Sequence, residues 1–410
     1  MSAIERCRVT GSTDLQPFLD LGDTPLADAL VDPDNRPENE AHFPLELCFC
    51  PESKLVQITH DVDPEVMFVD NYLYFSSFSD QVAQHTRAHA EQLVESRGLG
   101  PDSLVVELAS NDGYLLRHFV ELGIPVLGID PAPDQAAAAR EKGVPTLEEF
   151  FGVELAERLV AEGKQADVII ANNVMAHIPD PNDFVGGMKT LLADDGVITV
   201  ENPYVKTLID HCEFDTIYHE HYFYWSCQSV DVLTRRNSLV LNDVQHFPEL
   251  HGGTLRWWIG HHEDRSDAVL SYLADEKAAG LDTFEYYADF GRRVDGVRAE
   301  LKRLLSELRA EGARIVGYGA AAKGATLLNA TGIGTDLVEY VVDRNPHKQG
   351  LLMPGTRQPI KDPSFLVEDR PDYVLLLAWN FEKEILDQQS DYREQGGRFI
   401  RPVPWPEVVA

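Results

Sequence analysis

Positive charge is scarce in this sequence: 35 lysines and arginines face 68 aspartates and glutamates, for a net charge of −33. A field of that sign repels nucleic acid and anionic membrane surfaces, so neither is an expected partner. A phosphate-bearing substrate would need local basic contacts. No apolar run approaches the roughly 20 residues that span a bilayer, and the opening Met-Ser-Ala-Ile-Glu-Arg-Cys-Arg has no apolar signal core, which predicts a cytoplasmic location. Five cysteines in 410 residues, an odd number without a signal, argue against a disulfide framework and for thiols or a metal site. Low-complexity segments are also missing. What remains is ordinary globular composition, 44% apolar and 25% charged, in a chain too long for a single hydrophobic core.

The pattern along the chain predicts an α/β protein of several parts. Residues 1–60 read as a small β-rich lobe. Residues 61–262 hold a core in which strands (104–108, 126–129, 168–171, 197–201) alternate with helices (114–122, 134–142, 184–192), the mark of a parallel sheet covered on both faces. A helix is expected near 79–96, and β pieces near 238–244 and 254–259. Residues 263–310 read as two charged helices. A second α/β unit fills 311–410.

The first strand ends in V-V-E-L-A-S-N-D-G-Y, which puts Glu107 at a strand end and a tight turn, Ser110–Gly113, before a helix. Free N–H groups and positive potential at that helix start suit a methionine carboxylate or a ribose hydroxyl. Asp130 ends the next strand about 20 residues on, where ribose hydroxyls are held. The turn has one glycine and no G-x-G-x-x-G, so S-adenosylmethionine (SAM) is the expected ligand rather than a dinucleotide. A structural βα turn is the bland alternative. Asn172, Asn173 and His177 follow the third of the four predicted strands, at the carboxyl edge where such sheets bind ligands.

The densest chemistry lies at Tyr218-His-Glu-His221, a phenol, a carboxylate and two imidazoles in four residues. Burying such groups is costly unless solvent, a metal or a substrate satisfies them. Extended backbone would put Tyr218 and Glu220 on one face; a helical turn would pair Tyr218 with His221. An H-x-H metal pair is the competing reading. At the N-terminus, Cys7 and Cys50 each begin what would be a C-x-x-C knuckle, but Thr10 and Ser53 occupy the second positions. Neutral hydroxyls are poor zinc ligands. Zinc is therefore doubtful, with Cys7, Cys48 and Cys50 as the donors if it is present. In the second α/β unit, G-Y-G-A-A-A-K-G (317–324) places Tyr318 and Lys323 on a glycine turn able to hold a phosphate, or simply to pack a helix closely.

P-L-A-D-A-L (25–30), N-Y-L-Y-F-S-S (71–77), V-V-E-L-A-S-N-D-G, A-N-N-V-M-A-H-I-P-D, E-F-D-T-I-Y-H-E-H, H-G-G-T-L-R and the 314–403 unit together resemble the sugar C-methyltransferase family of antibiotic deoxysugar pathways. The resemblance implies a zinc-binding lobe, a class I methyltransferase core and a C-terminal Rossmann-like domain, with a nucleotide-linked (dTDP) 4-keto sugar between the last two. It implies a reacting centre of Tyr72, His177, Tyr218, Glu220 and His221, with His221 as general base. SAM contacts would fall on Glu107, Ala109, Asn111, Gly113, Asp130, Asn172 and Asn173, and substrate contacts on His251, Tyr318 and Lys323. The missing knuckle cysteines depart from the family pattern. O- or N-methylation of a related scaffold, or epimerisation of a keto sugar, are the competing activities, and a monomer is expected.

Overall fold

The computed structural model describes residues 2–35, 40–62, 80–250 and 252–409. Tyr72 and His251 lie outside these residues.

Seven strands form the central sheet. In chain order they are Val105–Leu108, Val126–Ile129, Thr146–Leu147, Ala166–Asn172, Leu192–Pro203, Val240–Phe247 and Thr254–Gly260, and they lie side by side as 3-2-1-4-5-7-6. The first five are parallel, and the seventh runs antiparallel to both neighbours. This is the class I methyltransferase arrangement of a Rossmann-like sheet. Alternation along the fourth strand fixes the two faces. Val168 and Ile170 pack with Leu93 of helix Asp80–Arg97 and Phe119 of helix Leu116–Glu121. Ile169 and Ala171 pack on the other side with Leu155 and Leu159 of helix Val153–Ala161 and with Phe184 and Met188 of helix Pro181–Leu191. The two-residue strand Thr146–Leu147 and the helix after it are additions to the sequence reading.

Strands Gln16–Thr24, Phe43–Cys50 and Leu55–Ile58 form an antiparallel sheet at the N-terminus. Its fourth strand is Phe223–Tyr224, with Phe223 opposite Gln57. The stretch just after Tyr218–His221 is thus built into the lobe. Two helices, Asp267–Ala279 and Phe284–Ala310, connect the core to the C-terminal unit. The longer one packs on the lobe, with Phe49 stacked on Tyr287 at 4.5 Å. Gly291 permits that approach, because a Cβ there would lie 2.3 Å from the Phe18 carbonyl oxygen.

The C-terminal sheet runs Ile360–Lys361, Val341–Val342, Ile315–Tyr318, Tyr373–Leu376, Arg398–Arg401, Glu407–Val409, parallel except at the last strand. No helix among the described residues is long and apolar enough to cross a membrane.

Candidate active site

The turn after the first core strand is held in left-handed backbone at alternate residues: φ is +54° at Ala109, +47° at Asn111 and +73° at Gly113. Side chains rarely adopt this conformation, so two of the three positions store strain. Gly113 is also sterically required, since a Cβ there would meet Val144 Cγ2 at 2.9 Å. Asp130 fastens the turn to the second strand. Its Oδ2 accepts from the Asn111 amide at 2.8 Å and its Oδ1 from the Ala132 amide at 2.9 Å. Burial raises its carboxyl pKa and the two amides pull it back.

Glu107 sits beneath, 1% exposed. Among the described residues, neither carboxylate oxygen makes a well-formed hydrogen bond, although Tyr114 and the Leu116 amide approach it. Burial, then the charges of Asp130 and Asp112, push its pKa well above the usual range. An acid left this way, beside strained N–H groups, fits a ligand carrying an ammonium group and hydroxyls. SAM carries both. Buried Asn172, whose Oδ1 has no partner among the described residues, and Asn173, with φ +53°, continue this edge.

His177 lies on the loop that leaves this edge. The Asp180 side chain ends the loop by capping helix Pro181–Leu191. The Tyr222 amide bonds the Ala176 carbonyl at 2.8 Å, and Trp225 Nε1 bonds the Met175 carbonyl at 3.1 Å, so the loop is pinned to the Tyr218–Tyr224 segment.

Residues 218–221 adopt the helical-turn alternative, closed by His221 N–H to the Tyr218 carbonyl at 2.9 Å. The Tyr218 and His221 rings lie 4.1 Å apart between centroids, and the His177 ring is 4.7 Å from that of His221. His221 Nδ1 is 3.1 Å from the Thr216 carbonyl oxygen. A carbonyl only accepts, so Nδ1 carries the hydrogen and Nε2 the lone pair. His177 Nδ1 stands in the same relation to the Glu220 carbonyl, at 2.6 Å. Burial drives the His221 pKa well below its ordinary value, helped by His177 and Lys323, and takes His177 to about 4. Both rings are neutral at pH 7. The Glu220 carboxyl is pushed up to about 8 by burial and by Asp28, so it is protonated there.

His219 points elsewhere. Its Nε2 is 3.3 Å from the carbonyl oxygens of Phe43 and Pro44, so it does not pair with His221 around a metal.

Three parts of the chain meet around this turn. Asp28, from the P-L-A-D-A-L stretch, lies next to Glu220 and feels Lys348 of the C-terminal unit. Lys323 reaches in at the start of helix Ala322–Thr331, its Nζ 2.9 Å from Asn380 Oδ1 and 4.5 Å above the Trp379 ring. Burial lowers its pKa, while Asp215 and Glu213 of the core raise it. Tyr318 does not accompany Lys323. It is buried in the C-terminal unit's own apolar cluster with Gln389 near its hydroxyl. Asp28, Glu213, Asp215, Lys348 and Trp379 were not expected here: Asp28 lies in P-L-A-D-A-L and Glu213 and Asp215 in E-F-D-T-I-Y-H-E-H, but no spacing marks them, or Lys348 and Trp379, as members of a site.

The N-terminal knuckles also converge. Cys7 Sγ is 3.1 Å from Ser53 Oγ, accepts from the Thr10 amide at 3.5 Å and is hydrogen-bonded with Cys50. The bond to Cys50 lowers the Cys7 pKa to about 5 and raises that of Cys50. Cys48 bonds the Gln57 carbonyl instead, and burial lifts it to about 12. Two thiols and two hydroxyls do not fit zinc, and no group of three or more His, Cys, Asp or Glu able to hold a metal occurs among the described residues.

Three family models match in succession: "Putative zinc binding domain" over 7–68, "Methyltransferase domain" over 82–243 and "C-methyltransferase C-terminal domain" over 249–404. The C-methyltransferase NovU of Streptomyces niveus is 37% identical over 99% of this chain and 97% of its own. A ubiquinone biosynthesis O-methyltransferase of Methylobacterium sp. (strain 4-46) is 34% identical over 21% of this chain and 37% of its own. Among solved structures, magnesium protoporphyrin IX methyltransferase (ChlM) of Synechocystis PCC 6803 with bound SAM has a TM-score of 0.35 and 14% identity, covering 49% of this chain and 89% of that one. With a strained turn and buried acid suited to SAM, and a full-length likeness to NovU, the chain belongs to the C-methyltransferase family and is a SAM-dependent enzyme.

Proposed function

We propose that this enzyme methylates the carbon beside the ketone of a nucleotide-linked 4-keto deoxysugar, with dTDP as the nucleotide, and that His221 removes the proton from that carbon. The observation that carries the reading is the His221 ring itself. It is neutral, its Nδ1 is committed to the Thr216 carbonyl, and it stands among Tyr218, His177 and the Lys323 side of the C-terminal unit.

SAM, when bound, supplies an electrophilic methyl group on a sulfonium. Carbon becomes nucleophilic only after losing a proton, and a ketone acidifies its neighbour. His221 Nε2 takes that proton. With its pKa depressed, the imidazole is a weak base, so the developing enolate oxygen must be stabilised. The neutral Glu220 carboxyl and the Tyr218 hydroxyl are the donors at hand. Glu107, Asn111, Gly113, Asp130, Asn172 and Asn173 hold the cofactor. Lys323 and Lys348 give the acidic chain its local positive charge toward the nucleotide phosphates.

The test is hydrogen exchange from a dTDP-4-keto sugar into D₂O without SAM, which isolates proton removal from methyl transfer. His221→Asn should exchange at least about a hundredfold more slowly while binding SAM normally. Exchange at the wild-type rate, with Tyr218→Phe slowed instead, would move the base to Tyr218. Mass spectrometry over a panel of nucleotide-linked 4-keto sugars with SAM checks the acceptor.

A further inference from the structure

Trp379 belongs to the C-terminal unit and Asp215 to the core, and they meet beneath the reacting centre. Trp379 Nε1 donates to Asp215 Oδ2 at 2.6 Å. Asp215 is fully buried, and its other oxygen, Oδ1, has no partner among the described residues. Lys323 lies over the indole and is bonded to neighbouring Asn380, so its charge faces the same carboxylate.

Asp215 sits in the single 3₁₀ turn Phe214–Thr216. The backbone of that turn is closed by Thr216 N–H to Glu213 O at 3.1 Å and Ile217 N–H to Phe214 O at 3.1 Å. The last residue of the turn, Thr216, provides the carbonyl that receives His221 Nδ1. The path from one unit to the base is therefore short: indole N–H, carboxylate, one rigid turn, carbonyl, imidazole. Every link is a hydrogen bond or a bonded neighbour.

We infer that Trp379 and Asp215 are positioning residues, through which docking of the C-terminal unit sets the tautomer and direction of His221. This rests on His221 being the base. A base ring must be held to a fraction of an ångström to attack a carbon acid, because misplacement by about 1 Å can cost roughly 10²-fold. The Thr216 carbonyl can hold the ring only if its own turn is held. Among the described residues, the indole is the group whose hydrogen bond ties a side chain of 214–216 to another part of the chain.

Trp379→Phe keeps the ring under Lys323 and removes the N–H. It should slow exchange of the substrate C–H into D₂O by about tenfold or more, with kcat lowered similarly. SAM affinity, measured by calorimetry, should stay at the wild-type value, while the melting temperature falls modestly because a buried carboxyl loses its hydrogen bond. Asp215→Asn should slow the same step. In the double variant the losses should not multiply, because the two residues act as one unit. A Trp379→His variant, which can again present an N–H, should recover part of the rate. Wild-type exchange by Trp379→Phe alongside a slow His221→Asn overturns the positioning role and leaves the base in place. Multiplying losses in the double variant overturn it too. Wild-type exchange by His221→Asn removes both.

Discussion

The chain contains two Rossmann-like units built on one frame, and they differ where a ligand would sit. In the core, Asp130 ends the second strand and takes the Asn111 amide on Oδ2 and the Ala132 amide on Oδ1. In the C-terminal unit, Asp343 follows strand Val341–Val342 and takes the Ala320 amide on Oδ2 at 2.7 Å and the Asn345 amide on Oδ1 at 2.8 Å. Both acids staple a strand-to-helix turn to the adjacent strand. The core turn is left-handed at three residues; the other has a single positive φ, at Gly319. Strand register pairs Leu108 with Ile129 and Tyr318 with Val342, so the counterpart of Glu107 is Gly317. A Cβ at Gly317 would meet Leu377 at 2.9 Å and Val341 at 3.0 Å. There is no room for an acid. The strand-end Asp is thus common to both units, and what sets the core apart is the strained turn with a buried carboxyl under it, the features proposed to hold the cofactor.

This contrast can be broken by experiment. Asp130→Ala should weaken SAM by about 1.5–3 kcal/mol, the worth of charge-assisted hydrogen bonds, while Asp343→Ala leaves SAM affinity unchanged; equal losses by calorimetry would erase the distinction. Gly113→Ala, forced to φ +73° against Val144, should cost about 1–2 kcal/mol of stability and weaken SAM. Gly319→Ala, crowded by the Ala378 Cβ at 2.6 Å, should lower the melting temperature with no effect on SAM. Burial and then Asp28 raise the Glu220 pKa to about 8, so its proton is present below about pH 8 and lost above it. Turnover should fall on the alkaline side of that value, and Glu220→Gln, slower throughout, should lose this limb of the pH–rate profile. The smallest effect concerns the N-terminal lobe. Metal chelation should change neither melting nor SAM binding, and elemental analysis should find well under one zinc per chain. A ratio near one would point to Cys7, Cys48 and Cys50.

The core was legible in the sequence because its signals are local. Strand Val126–Ile129 stands where its apolar run places it, and the two connecting helices follow their spacing. Strand Thr146–Leu147 was not legible: two residues carry no periodicity. The Tyr218–His221 turn shows as chemistry in sequence, yet which way each imidazole faces depends on carbonyls at 43, 44 and 216. Asp28 and Trp379 are the harder cases. Each is an unremarked residue in its own segment, and only the meeting of distant parts gives it a neighbour worth having.

Strand Phe223–Tyr224 has a consequence for how the molecule comes into being. The edge of the N-terminal sheet is completed by residues about 165 positions downstream of Leu55–Ile58. On the ribosome, the first sixty residues must therefore wait with an open edge until the residues beyond His221 have emerged. Contacts of such high sequence separation form slowly. The lobe is not a module that could be cut away or exchanged between relatives, since removing it would leave the strand that follows the Tyr218–His221 turn without its partner. The lobe serves as the wall against which that turn is finished.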